Sequence, residues 1–144
     1  MSSFAELGAS APVARALERR NITQAFPIQA MVIKDATAGK DVLAKSRTGS
    51  GKTLAFAVPM VDRIDQGAKR PAGLILVPTR ELAVQVTDEM KDIAAAQNLR
   101  VAPVYGGVGL EKQAERARKA HIVVATPGRL TDLVNRRLLS LDNI

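Results

Sequence analysis

An α/β fold built on a parallel sheet is predicted for these 144 residues by three observations. Short apolar runs alternate with helical patterns along the chain, which implies βαβ crossovers. One run, Gly73-Leu74-Ile75-Leu76-Val77, is apolar throughout yet too short for a helix, as expected of a strand buried on both faces. The third observation is compositional: aromatic residues make up 3% and Trp is absent, so the core is built from Ala, Val, Leu and Ile, the usual filling of such a sheet.

Each element has a local reason. Pro12 to Arg20 reads as a short helix with Ser10 as its cap and Val13, Ala16 and Leu17 on one face. A second helix is predicted from Pro27 to Ala38, closed by Gly39. Val42-Leu43-Ala44 reads as a strand. A helix from Gly51 to about Ile64 follows, apolar nearly all round and hence buried, with a kink expected at Pro59. After the turn from Gln66 to Pro71 and the strand at 73–77 comes a helix from Glu81 to Ala96, with Leu82, Val86, Met90 and Ile93 as its apolar side. Val101 to Tyr105 reads as strand, Leu110 to Lys119 as helix, Ile122 to Ala125 as strand and Leu130 to Arg136 as helix. No repeat, low-complexity segment or linker interrupts the series, so one unit is expected.

Hydrophobic residues at 47% and charged residues at 24% are ordinary for a globular domain. No uncharged run approaches the length of a membrane span, and the N-terminus lacks the basic and apolar regions of a leader. Without cysteine a reducing, cytoplasmic setting is the natural expectation. The net charge of +7 suggests a polyanionic partner. Its excess sits late: residues 100–137 carry eight Lys/Arg against three Asp/Glu, while residues 1–99 carry thirteen against ten. A solvated helix face, with Glu115 and Lys119 spaced as an i,i+4 pair, explains part of it equally well.

Residues 41–53 end in Thr48-Gly49-Ser50-Gly51-Lys52-Thr53 and read as a strand running into a phosphate-binding loop. Glycines let backbone amides turn inward and leave room for a phosphate, Lys52 supplies a point charge, and Thr53 a hydroxyl for Mg²⁺. The helix that starts here aims its unpaired N–H groups at the same anion. The match is a relaxed one, because Ser46 stands where the strict pattern has glycine.

In open α/β sheets ligands bind at the carboxyl ends of the strands. The loops there are Ser46 to Gly51, Pro78-Thr79-Arg80, Gly106-Gly107 and Thr126-Pro127-Gly128-Arg129. Each has a plainer reading: Thr79 as a helix cap, Gly106-Gly107 as a turn, Pro127-Gly128 as a turn after a strand exit. Together, three loops offer small residues for close approach and Arg80 and Arg129 as donors to phosphate oxygens. Such a surface reads a nucleic-acid backbone, since Tyr105 is its one aromatic and reads better as core.

In this order the segments resemble the first RecA-like domain of DEAD-box RNA helicases. Ser46 to Thr53 resembles motif I of that family, Pro78-Thr79-Arg80-Glu81-Leu82-Ala83 motif Ia, Gly106-Gly107 the GG motif, and Thr126 to Arg129 motif Ib. Ile22 to Gln29 resembles the Q motif, with Phe4 as the isolated aromatic upstream. The resemblance implies a partial RecA-like domain over 1–144, with a Q-motif region at 1–38 and a P-loop core at 41–144. It also implies ATP or ADP with Mg²⁺ as cofactors, Gln29 on the adenine edge, Phe4 stacked on the ring, and RNA as partner. Ala25 and Phe26 depart from the usual Pro and Thr or Ser, and the missing hydroxyl implies the loss of a contact tying this segment to the loop.

No Asp-Glu-Ala-Asp string occurs before Ile144. By the resemblance that acidic pair would hold Mg²⁺ and orient the attacking water. These 144 residues alone are therefore expected to hydrolyse little ATP, and sheet strands left without neighbours are expected to favour a non-native dimer or swap. Two other readings stay open: a non-catalytic nucleotide- or RNA-binding module, and a small P-loop kinase or unrelated ATPase.

Overall fold

A computed structural model of the chain describes residues 2–47 and 51–144. Its elements in order are α1 (Ala11–Glu18), α2 (Pro27–Thr37), α3 (Lys52–Arg63), β1 (Gly73–Leu76), α4 (Arg80–Ala96), β2 (Val101–Val104), α5 (Leu110–Lys119), β3 (Ile122–Ala125) and α6 (Pro127–Asn135). They form two compact units: Met1–Asp65 with Asp92–Gln97, and Gln66–Lys91 with Asn98–Ile144.

In the first unit, Ser10 caps α1 as expected, its Oγ accepting from the Val13 N–H at 3.4 Å, and Val13, Ala16 and Leu17 are buried. Proline at the start of α2 is preorganised for a first helical turn, and Ile28 and Val32 pack with Ala55 of α3 into a small core. Helix α3 runs through Pro59 and buries Leu54, Ala55, Ala57, Val58 and Val61. Near its end the Asp62 carboxylate accepts from the Ser10 N–H (2.9 Å), the Ser10 hydroxyl (2.7 Å) and the Gln97 amide (2.8 Å). Asp62→Ala leaves three donors short of an acceptor and is expected to lower stability by about 2 kcal/mol, read from urea unfolding.

The strand expected at Val42–Ala44 does not form. Residues 41–47 have no regular structure, and Leu43 is fully exposed. A strand exists only with a partner ladder, and none of the described strands pairs with this segment. The apolar run was legible, but its pairing was not.

The second unit holds a three-stranded parallel sheet of order β1-β3-β2, with Gly73 and Val101 both in register with Ile122. Central β3 is fully buried, as a strand covered on both faces must be. Beside it, Val104, Val123 and Ala125 pack with Ala114 and Ala117 of α5 and Leu133 of α6. β1 is an edge strand, and Leu76 is 57% exposed, so the expectation of burial along its whole length is corrected. On α4 the expected Val86, Met90 and Ile93 are buried, while Leu82 is exposed and Ala83 takes its place at the start of the inward stripe.

Helix α6 begins at Pro127, earlier than the predicted Leu130, because proline fits the first helical position and Thr126 before it is extended. Pro127-Gly128 is thus the first turn of a helix. It ends in a Schellman arrangement, with the Leu138 N–H donating to the Leu133 carbonyl at 2.9 Å and Arg137 left-handed at φ 59°. On α5 the expected Glu115–Lys119 pair forms at 3.1 Å and holds the Glu115 carboxyl below its ordinary value. The pair's small contribution is present above the ordinary carboxylate range and lost as pH falls through the lowered value. Among the described residues no helix is long and apolar enough to cross a membrane.

Candidate functional site

The candidate residues fall into two groups, one in each unit. In the first unit, Gly51 is the residue before α3 and is left-handed at φ 84°, so the helix opens with no side-chain cap on its first N–H groups. Among the described residues no side chain caps those amides, at Lys52, Thr53 and Leu54, and uncapped N–H groups at a helix start suit an anion. The Lys52 ammonium donates to the Ser46 carbonyl at 2.7 Å, which spans the loop from both sides. Thr48, Gly49 and Ser50, named above as loop residues, lie outside the described residues.

Gln29 joins the upstream segment to this loop. Its side chain is 2% exposed, its Oε1 accepts from the Phe26 N–H at 2.8 Å, and its Nε2 donates to the Gly51 carbonyl at 3.0 Å. The tie expected to be lost with the hydroxyl at position 26 is made here by the glutamine. Space around Gly51 is full: a Cβ there would collide with the Gln29 amide and lie 2.8 Å from the Phe26 ring. The N-terminal backbone pairs with the same segment, Ala25 N–H donating to the Ser2 carbonyl at 2.9 Å. That pairing places Phe4 in the core at 2% exposure, where its ring has no open face in this conformation.

In the second unit, the carboxyl ends of the three strands bring Arg80, Tyr105, Gly106, Gly107 and Arg129 together. The Thr79 hydroxyl is spent on capping α4, accepting from the Leu82 N–H at 3.2 Å, and that of Thr126 donates to the Val104 carbonyl at 3.4 Å. The arginines differ. Arg80 lies over the half-buried Tyr105 ring, 4.9 Å from its centre, and beside Gly107, which is left-handed at φ 87°. Arg129 donates through Nη1 to the Val108 carbonyl (3.1 Å) and to Gln113 (3.0 Å). Gly106 and Gly128 have open space where a Cβ would stand, and Pro78 is exposed.

Gln113 was missed by sequence reasoning. It is buried on the inward stripe of α5 with Ala114 and Ala117, and its Oε1 also accepts from the Tyr105 N–H at 3.3 Å. The available signal was a polar amide on an alanine face, where it must find partners. Tyr105 was expected as core; it is a shelf for Arg80.

Comparison with known proteins gives the family. The family description DEAD/DEAH box helicase matches residues 26–144. The DEAD-box ATP-dependent RNA helicase CshA of Geobacillus kaustophilus is 41% identical over 145 residues, covering 100% of this chain and 31% of that protein. The corresponding protein of Bacillus anthracis is 40% identical, with 100% and 28% covered. The chain thus spans less than a third of these relatives. Among solved structures, a DEAD box protein from the hyperthermophile Methanococcus jannaschii superposes with a TM-score of 0.93 at 37% identity, covering 99% of this chain and 39% of that one. Prp28 from Chaetomium thermophilum bound to ADP gives 0.89 at 36% identity, with 99% and 36% covered. A parallel sheet flanked by helices, the loop and strand-end segments in their order, and a match over most of its length establish that the chain belongs to the DEAD/DEAH box helicase family.

Proposed function

We propose that this chain binds an adenine nucleotide through Gln29 and the loop from Ser46 to Thr53, binds RNA by its backbone through Arg80, Arg129 and the small residues around them, and serves an ATP-dependent RNA helicase. The observation that carries the reading is the Gln29 bridge from the Phe26 N–H to the Gly51 carbonyl, which makes the upstream segment and the start of α3 one structure. A group that reads a base edge is thereby held beside a helix N-terminus suited to phosphate.

The residues present fit the nucleotide. The uncapped start of α3 offers amides, Gly51 leaves room for the Gln29 amide against the turn, and Lys52 can turn its ammonium from the Ser46 carbonyl to a phosphate. Thr53, second in α3, fits a Mg²⁺ ion carried in with the nucleotide; the metal would neutralise phosphate charge. Phe4 completes the adenine site after a rotation out of the core. On the RNA side, Tyr105 and Gln113 hold the two guanidinium groups at the strand ends, while Gly106 and Gly128 let a phosphodiester approach. Positioning and charge are nearly all of phosphoryl-transfer catalysis, and these 144 residues hold no Asp-Glu-Ala-Asp string. By themselves they bind and do not turn ATP over.

Titration of a fluorescent ADP analogue, with unlabelled ADP and GDP as competitors, tests the reading. ADP is expected to compete and GDP not, and Lys52→Ala is expected to weaken binding about 10- to 100-fold, the worth of a charged hydrogen bond. Gln29→Ala should erase the preference for adenine. Unchanged affinity in a folded Lys52→Ala protein would end the proposal.

A further inference from the structure

The loops with Arg80, Gly107 and Arg129 lie at the carboxyl ends of the second unit's strands. Cations also collect at the opposite edge, where the same parallel strands begin. Arg70 precedes β1, Arg100 immediately precedes β2, and Arg118 and Lys119 close α5 just before β3. Since α6 starts at the carboxyl edge, its far end carries Arg136 and Arg137 to the amino edge.

Contacts join these residues into one patch. Arg70 Nη1 donates to the Lys119 carbonyl at 3.0 Å, and Arg118 Nη1 donates to the Leu138 carbonyl at 2.8 Å. The Arg100 carbonyl accepts from the His121 and Ile122 N–H groups at 2.9 and 3.1 Å. All six cationic residues are exposed. Glu115 and Asp132 pair with Lys119 and Arg136, and the patch keeps a positive excess.

Cations in a last helical turn complement its dipole, which accounts for Arg118 and Lys119. It does not account for Arg137, whose left-handed backbone costs a residue with a Cβ about 1 kcal/mol or more. The other left-handed non-glycine residues among those described are Asn21 and Asn98, a type that tolerates the conformation. Position 137 thus carries a charge where glycine would fit better. Arg100 lies beyond the last turn of α4 and is not explained by a dipole either.

We propose that this amino edge is a second RNA surface, which holds by its phosphates the strand flanking the segment bound at the motif-bearing edge. The proposal rests on the reading of the protein as an RNA binder. Forked guanidinium donors suit phosphate oxygens, and the second unit offers no platform for base stacking here, since its single aromatic, Tyr105, lies at the other edge. An acidic protein would call for an apolar centre; of the exposed large apolar residues in this unit, Leu76 and Val108 lie toward the carboxyl ends of the strands, and Ile144 alone follows α6.

Binding of a labelled single-stranded RNA of about 30 nucleotides, measured against salt concentration, tests the inference; each lost phosphate contact lowers the slope of log K by about 0.7. The Arg100→Gln/Arg137→Gly double variant is expected to lose about 1.4 in slope and about 20-fold in affinity at 0.1 M salt. Arg137→Gly alone should melt at or above the wild-type temperature while still losing about 0.7, so weaker binding cannot be blamed on unfolding. Wild-type affinity and slope in a folded double variant would overturn the inference, even if Arg80→Ala/Arg129→Ala weakened binding. Loss in the double variant with none in the Arg80/Arg129 variant would uphold it and overturn the assignment of RNA to the motif-bearing edge. Binding of poly-glutamate that RNA cannot displace would assign the patch to an acidic protein, and absence of RNA binding by wild type would remove both readings.

Discussion

Gly51→Ala is expected to lower nucleotide affinity at least about 100-fold, close to 3 kcal/mol, and to destabilise the first unit as well. Two physical causes add. At φ 84° any residue with a Cβ is strained by about 1–2 kcal/mol. The new methyl would also collide with the Gln29 amide and crowd the Phe26 ring at 2.8 Å, so the glutamine must leave the Gly51 carbonyl. That movement costs a buried hydrogen bond, about 1 kcal/mol, and separates the base-reading group from the phosphate-binding turn. Titration of the ADP analogue, with urea unfolding of the same sample, reads both effects. An alanine variant of wild-type stability that retained adenine preference would show that Gln29 and Gly51 act separately.

His121→Leu is expected to destabilise the protein by about 3–4 kcal/mol, lowering the melting temperature by roughly 10 °C. The imidazole is 1% exposed and both ring nitrogens are engaged. Nδ1 accepts from the Arg100 N–H at 3.0 Å, so Nε2 carries the proton and donates to the Gln66 carbonyl at 2.9 Å. One side chain thereby pins the approaches to β1 and β2 against the start of β3, whose own N–H returns to the Arg100 carbonyl. Leucine matches the volume but leaves the part-buried Arg100 N–H and Gln66 carbonyl without their partner. Calorimetry against wild type checks it; a loss below 1 kcal/mol would mean that water or a shifted loop replaces both bonds.

The sequence was legible where a residue's structural role is local. The glycine-lysine-threonine ending of the loop, the Ser10 cap and the Glu115–Lys119 pair depend on neighbours within a turn of chain, and periodicity reached α5 and β3 at their observed bounds. Residues whose role depends on a distant partner were misread or missed. Tyr105 became a shelf for Arg80, Gln113 became the acceptor that holds Arg129, and Phe4 entered the core. The strand at 42–44 failed for the same reason, because β structure needs a second chain segment to supply its hydrogen bonds.

By itself the sequence determined that this is an α/β protein and where most of its helices begin, since apolar period and capping residues act over a few residues and leave few choices. Tertiary structure alone decided that β3 lies between β1 and β2, that Gln29 closes on Gly51, and that cations from four separate segments meet at one edge of the sheet. Those facts concern residues tens of positions apart, and only the folded chain, which must pair every buried polar group, brings them within reach of one another.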